Sequence, residues 1–261
     1  MPTIAVLIAD GFARDVVSRQ LGGVGPIELH DRAHGLVERA ANAHLDAVVM
    51  ELDDESGRSV APTLVELTAC RPLLPVVLYA RVNAASIPKL MAVLTTGMRI
   101  ECAVRPYEPV EPVLRRVLSP DYRPGAAAPL LQSLVPGVPA VLRTFVTLAV
   151  LGAPCRRSVD EVSRWSGVTA RTVERRLHRA HWAPAHVVLQ SFSALDAVWL
   201  MSEYGWSARR VQQVRGFPHA SSVTRLLSRY AGTRPSTLRE DGGFPAALAH
   251  VTEALVRGLE R

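Results

Sequence analysis

Over the first 118 residues, short apolar runs alternate five times with segments whose apolar positions recur at helical spacing. Residues 4–8, 26–30, 47–50, 76–79 and 100–104 read as strands. Residues 12–21, 33–43, 60–70, 87–96 and 110–118 read as the helices between them. Strands that are apolar almost throughout, each followed by a helix, predict a parallel sheet covered on both faces. From residue 137 onward the strand pattern stops and only helical spacing remains. The expected fold class is therefore an α/β domain followed by an all-α domain.

The all-α part is organised around residues 158–240. Ser158-Val-Asp-Glu161 has the spelling of a capping box and marks a helix start. That helix stops at Ser166-Gly167-Val168, and Thr169 is placed to cap the next one. On this next helix Ala170, Val173, Leu177 and Ala180 form an inward stripe, while Arg171, Glu174, Arg175 and His178 lie opposite. A thin apolar back with a cationic front suits a DNA major groove, where Arg can donate twice to guanine.

The layout then repeats. A helix is expected over 207–215 with Ala208, Val211 and Val214 inward, then a turn at Gly216-Phe217, then a helix over 219–230. Val223, Leu226, Leu227 and Tyr230 face inward on that last helix, and Ser221, Ser222, Arg225 and Arg229 face outward. Between the two units, residues 184–204 read as one long helix with Val188, Phe192, Leu195 and Trp199 as its apolar stripe and Gly205 as its C-cap. At about 1.5 Å per residue it spans roughly 30 Å, close to the ~34 Å of one DNA turn. After Gly242-Gly243, a final amphipathic helix is expected with Leu248, Val251, Leu255 and Leu259 on one face.

Residues 137–241 resemble the DNA-binding domain of the AraC/XylS family of bacterial transcription regulators. The words "SVDEVSRWSGVTARTVERRL" and "GFPHASSVTRLLSRYAGTRPSTLRE" carry the resemblance, with Gly216, Phe217, Arg225, Tyr230, Gly232, Pro235 and Ser236 matching the family signature. It implies base contacts from Arg171, Glu174 and Arg175 in the first unit. In the second it implies contacts from Ala220, Ser221, Ser222, Thr224 and Arg225, of which Ala220 offers only a methyl group.

The first domain resembles, in element order and strand-end residues, the receiver domain of bacterial response regulators. Receivers carry two acids after the first strand, a phosphoacceptor Asp after the third, a hydroxyl after the fourth and a Lys before Pro after the fifth. Here Asp10 is followed by Gly11, Glu51 stands for the phosphoacceptor, Ala80 stands for the hydroxyl, and Arg105 stands before Pro106. Phosphoryl transfer to a carboxylate needs a divalent cation held by several oxygens. The expectation is a degenerate receiver pocket of Asp10, Glu51 and Arg105 that is not phosphorylated in the usual way. Glu51 then either mimics a phosphorylated Asp, paired with Arg105, or is a polar strand-end residue without a signalling role. Asp53, Asp54 and Glu55 beyond it read as a solvated acidic loop.

Composition sharpens this division. Residues 1–136 hold 13 basic and 15 acidic side chains, whereas residues 137–261 hold 17 and 9, so the net charge of +6 lies in the second half. That is where phosphate binding needs it. Lys89 is the only lysine, and arginine suits bidentate phosphate and guanine contacts. Cys70, Cys102 and Cys155 are isolated, without metal-ligand spacing, and read as small buried hydrophobes in a reducing cytoplasm. Gly22-Gly23-Val24-Gly25 follows a helix and is no dinucleotide fingerprint. No signal peptide is expected, and the longest apolar run, 138–153, contains Arg143 and is too short to span a bilayer.

The expected organisation is a receiver-like regulatory or oligomerisation domain over 1–118, a Pro/Ala-rich spacer over 119–136 whose Leu130, Leu131, Leu134 and Val135 either float or dock on a domain surface, a double helix-turn-helix domain over 137–241, and a C-terminal helix over 242–261. The expected partner is double-stranded DNA. Further candidates are a second copy of the chain, RNA polymerase, and a small ligand or protein at the first domain. No membrane, metal or cofactor is called for, and no catalytic constellation of Ser/His/Asp or Cys/His type is present. The rival class is an architectural protein that binds DNA with little sequence choice.

Overall fold

The structure is a computed structural model that describes residues 1–257. The chain divides into two compact units at Pro124 and Gly125. The first unit holds five parallel strands, β1 Ile4–Leu7, β2 Ile27–His30, β3 Ala47–Met50, β4 Pro75–Ala80 and β5 Arg99–Val104, in the order β2-β1-β3-β4-β5. Five helices follow them in turn: α1 Gly11–Leu21, α2 Ala33–Asn42, α3 Ala61–Cys70, α4 Ile87–Leu94 and α5 Val110–Val117. The expected α/β class, strand number and parallel sense are all observed, with ends within two residues of the pattern-based bounds.

Side chains alternate between the two faces of the sheet along each strand, and both faces are covered. Ile4, Val6, Ile8, Val49, Val77 and Tyr79 pack with Val17 and Leu21 of α1 and with Val113, Leu114 and Val117 of α5. The alternate positions, Ala5, Leu7, Val48, Met50, Val76 and Leu78, are also buried, on the side of Leu36, Leu64, Leu67 and Leu90. Each buried Val, Leu, Ile or Met side chain contributes roughly 1.5–3 kcal/mol on leaving water. The edge strands are less covered: β2 is partly buried to exposed, and the first half of β5 is partly buried. The strand order reverses between β1 and β3, and their carboxyl ends present Asp10 and Glu51 in the resulting crevice.

The second unit is helical: α6 Ala127–Leu134, α7 Ala140–Gly152, α8 Val159–Trp165, α9 Ala170–Arg179, α10 Ala185–Tyr204, α11 Ala208–Arg215, α12 Ala220–Leu226 and α13 Gly243–Arg257. Three expectations need correction here. Residues 127–134 are not a spacer but a helix, with Leu130, Leu131 and Leu134 buried. Three leucines on one face outweigh the Pro-rich composition, and Pro129 sits in the first turn, where its missing N–H costs nothing. Helix α10 does not bury one stripe. Thirteen of its 20 residues are buried, because α7, α12 and α13 pack around it. On α13 the buried set is Phe244, Ala247, Val251 and Leu255, with Leu248 half-buried, while Leu259 lies outside the described residues. Phe244 meets Trp199 edge to face at 4.9 Å, and the Ala183 amide donates to the Leu255 carbonyl.

Of the cysteines only Cys102 is buried, and Cys70 and Cys155 are half-buried. Among the described residues no helix is long and apolar enough to cross a membrane.

Candidate functional site

In the first unit, Asp10, Glu51 and Arg105 converge. Arg105 Nη1 donates to Glu51 Oε1 at 2.8 Å and Nη2 donates to Asp10 Oδ2 at 2.7 Å. The Asp10 amide points at Glu51 Oε2 at 3.4 Å, and the guanidinium lies 5.8 Å from the Tyr79 ring centroid. Asp10 also caps α1, accepting from the Phe12 and Ala13 amides. The pairing of Glu51 with Arg105 follows from the parallel register, which brings the ends of β3 and β5 to one side of the sheet.

The electrostatics of the two acids differ. The hydrogen bond from Arg105, helped by the Ala13 amide, holds the Asp10 carboxyl below its ordinary value. Burial pushes the Glu51 carboxyl up, against the pull of the Asp10 amide and Arg105. Both acids are thus occupied by one guanidinium. Among the described residues no group of three or more His, Cys, Asp or Glu side chains is placed to hold a metal. Beside the triad lies a cavity of about 290 Å³ lined by Tyr79, Arg81, Ser86 and Lys89 among others, with Lys89 paired to Asp53.

In the second unit the pair of helices α8 and α9 is built by local bonds. Ser158 Oγ accepts from the Glu161 amide at 3.2 Å, and Glu161 accepts from the Ser158 amide at 2.8 Å, closing the capping box. Gly167, at φ 72°, makes the turn, and Thr169 Oγ1 accepts from the Thr172 amide at 3.2 Å to start α9. Val173 and Leu177 of α9 are buried, and Arg171, Arg175 and His178 are exposed. Neither Arg171 nor Arg175 has a hydrogen bond or ion pair among the described residues.

Glu174 makes a contact within the protein. Its two oxygens lie 3.1 and 3.3 Å from the Ala185 amide, at the positive end of α10. It works as an intramolecular cap of α10.

In the pair α11 and α12, Ser207 caps α11 by accepting from the Arg210 amide, and Gly216 turns the chain at φ 65°. Phe217 is buried, and its carbonyl accepts from Gln212 Nε2 at 2.8 Å. On α12, Ser221 and Arg225 are exposed, while Ala220, Ser222 and Thr224 are half-buried. The expected single α-helix changes to a π turn over Leu227–Ala231. The wider turn takes Arg229 out of the α-helical register with Arg225, and its guanidinium lies 5.4 Å from the Tyr230 ring.

No protein-family model matches this sequence, and neither does the sequence of any curated protein. The chain is similar to solved structures of response regulators. It shares 19% identity with the BeF3-activated receiver domain of DrrB, at a TM-score of 0.38, over 45% of this chain and 97% of that one. With full-length FixJ from B. japonicum the identity is 16% and the TM-score 0.36, over 87% of this chain and 96% of that one. With the response regulator StyR the values are 16% and 0.38, over 88% and 99%.

Two relationships in the second unit escaped the sequence pattern. Arg156, in a left-handed conformation at φ 53°, stacks on Phe217. Asp196 and Arg215 form an ion pair in which each side chain is only 3% exposed. The signal for the second was a lone Asp inside the apolar stretch of α10. The first had none, because arginine gives no hint of a positive φ.

Proposed function

We propose that this chain is a sequence-specific DNA-binding transcription regulator that acts by binding rather than by catalysis. Its second unit reads double-stranded DNA through α9 and α12. Its first unit is a receiver-like regulatory or oligomerisation domain that is not phosphorylated in the usual way. The observation that carries the reading is α9, with a buried back of Val173 and Leu177 and a front on which Arg171 and Arg175 stand exposed without protein partners. Unpartnered arginines on one helix face, in the half of the chain that holds the excess positive charge, suit guanine and phosphate. Arg225 with Ser221 forms the corresponding face of α12.

The test is selection of bound sequences from random duplexes with the full-length protein at near-physiological salt, where non-specific binding is not inflated. The expected result is a motif of two short blocks about one helical turn apart. Retained binding with no enriched motif would replace this reading with an architectural one. In a variant of the reading, α12, with the small side chains Ala220, Ser221 and Ser222, holds only the backbone and α9 alone specifies bases. That variant gives a single block.

A further inference from the structure

We propose that the chain junction at Gly125 and Ala126 is a built-in regulatory input to α11 and α12, acting through the buried Asp196–Arg215 pair. Its consequence for DNA rests on the function proposed above, but its structural half is tested without DNA.

Asp196 lies mid-way along α10 and is 2% exposed, and Arg215, the last residue of α11, is 6% exposed. Asp196 Oδ2 accepts from Arg215 Nε at 2.7 Å, and Oδ1 accepts from Arg215 Nη2 at 3.3 Å. Oδ1 takes another hydrogen bond, at 3.1 Å, from the Ala126 amide. A buried charge is tolerable only when its partners are complete, and here one donor is backbone from the first two residues of the second unit.

Gly125 seals the arrangement. A Cβ at this position would lie 2.3 Å from Asp196 Oδ1 and 3.0 Å from Arg215 Nη2. The glycine backbone therefore packs directly on the ion pair, and no larger residue fits without moving it. Arg215 immediately precedes Gly216, whose positive φ sets the turn into α12. Displacing the junction removes a hydrogen bond and admits water to the pair, which loosens the end of α11 and the entry to α12. Helix α9 is held by different contacts, Val173 and Leu177 in the core and Glu174 on the Ala185 amide. The two reading helices thus differ: one is tied to the chain junction and the other is not.

Hydrogen exchange on the full-length protein decides this. Gly125→Ala displaces the junction by its Cβ. Ala126→Pro deletes the one amide donor at a residue whose φ of −75° accepts proline. Asp196→Asn breaks the pair directly and sets the reference pattern. The expected result is that amides of α11 and α12 exchange about tenfold faster or more in all three variants, with α8 and α9 unchanged. The proposal is overturned if Asp196→Asn loosens α11 and α12 while the junction variants exchange like wild type. It is equally overturned if the change spreads evenly over α8 to α12 or is absent. If Gly125→Ala does not fold, Ala126→Pro alone decides. In sequence selection, the junction variants are expected to keep the α9 block and lose the α12 block. A wild-type protein that selects no motif would remove the DNA-reading function, and the exchange pattern would still decide the role of the junction.

Discussion

The Arg156 guanidinium lies 4.3 Å from the centroid of the Phe217 ring, and its Nη1 donates to the Gly216 carbonyl at 3.3 Å. The contact joins the segment leading into α8 to the turn between α11 and α12. Arg156 holds a left-handed backbone conformation to make it, at φ 53° and ψ 47°. Removing the side chain loses the stacking energy, about 1 kcal/mol, but alanine keeps the backbone cost. Glycine loses the stacking and relieves about 1 kcal/mol of that cost. We expect Arg156→Ala to destabilise the second unit by about 1 kcal/mol and Arg156→Gly to stay near wild type. All four tryptophans, Trp165, Trp182, Trp199 and Trp206, belong to this unit, so urea unfolding followed by tryptophan fluorescence reads it selectively. Equal losses in both variants would show that the backbone strain is negligible.

Neighbouring positions on α9 are expected to separate cleanly. Arg175 is exposed and unpartnered, whereas Glu174 caps α10. Arg175→Ala should lower specific DNA affinity by roughly 1–3 kcal/mol and relax preference at one base pair, leaving urea unfolding unchanged. Glu174→Ala should cost roughly 0.5–2 kcal/mol of stability, as loss of a cap does, with the selected motif unaltered. If Arg175→Ala weakens specific and random DNA alike, Arg175 is a phosphate contact. If Glu174→Ala changes the motif, the carboxylate also faces a base.

The division between what the sequence revealed and what it hid follows from the range of the forces. Strands apolar throughout, a Ser-x-x-Glu box and glycines at the turns are local signals, and β1 to β5, the Ser158 cap, Gly167 and Gly216 were all legible. The convergence of Asp10, Glu51 and Arg105 was legible as strand-end residues, because a parallel sheet brings successive strand ends to one side. Roles set by distant partners were not legible. Glu174 looks like part of a polar front until the start of α10 is seen beside it. Residues 127–134 look like a spacer until their leucines find a core. Arg215 looks like one more surface cation until Asp196 appears opposite. The π turn after Leu226 changes the direction of Arg229 without any Gly or Pro to announce it.

The acids around Arg105 should give the first unit opposing pH dependences. Asp10, with its carboxyl held low by Arg105, contributes stability that is present above its unfolded value near 3.8 and lost as pH falls through its lower folded value. Glu51, raised by burial, binds its proton more tightly when folded than its ordinary value of 4.5. Its contribution therefore falls as pH rises from 4.5 through the folded value. Glu51→Gln should flatten that upper window and leave stability at neutral pH within about 1 kcal/mol of wild type, since a charge is removed where burial opposes it. Arg105→Ala leaves two carboxylates facing each other and should cost about 2 kcal/mol, a discounted value because Asp10 is 44% exposed. Scanning calorimetry across a series of pH values checks both, using the transition that is silent in tryptophan fluorescence. A Glu51→Gln variant with an undiminished slope above 4.5 would assign that titration to another group.

The same triad bears on phosphorylation. For a carboxylate to accept a phosphoryl group from a small donor, a divalent cation must bridge the incoming oxygens and the protein acids. Glu51 and Asp10 are the acids available at this strand end, and Arg105 already spans both at 2.8 and 2.7 Å. A cation would have to displace a guanidinium that is only 11% exposed, and Gly11 offers no further oxygen from its side chain. Glu51 is also held by the Asp10 amide, which ties down its second oxygen. The full-length protein incubated with acetyl phosphate and Mg²⁺ should therefore show an unchanged intact mass. Arg105→Ala, which frees both acids, is the informative partner: an unchanged mass there too would place the barrier in the longer Glu51 side chain and the missing acid at Gly11. Phosphate incorporated by wild type would mean that Arg105 swings away readily, and the first unit would then be a phosphorylation-responsive regulator.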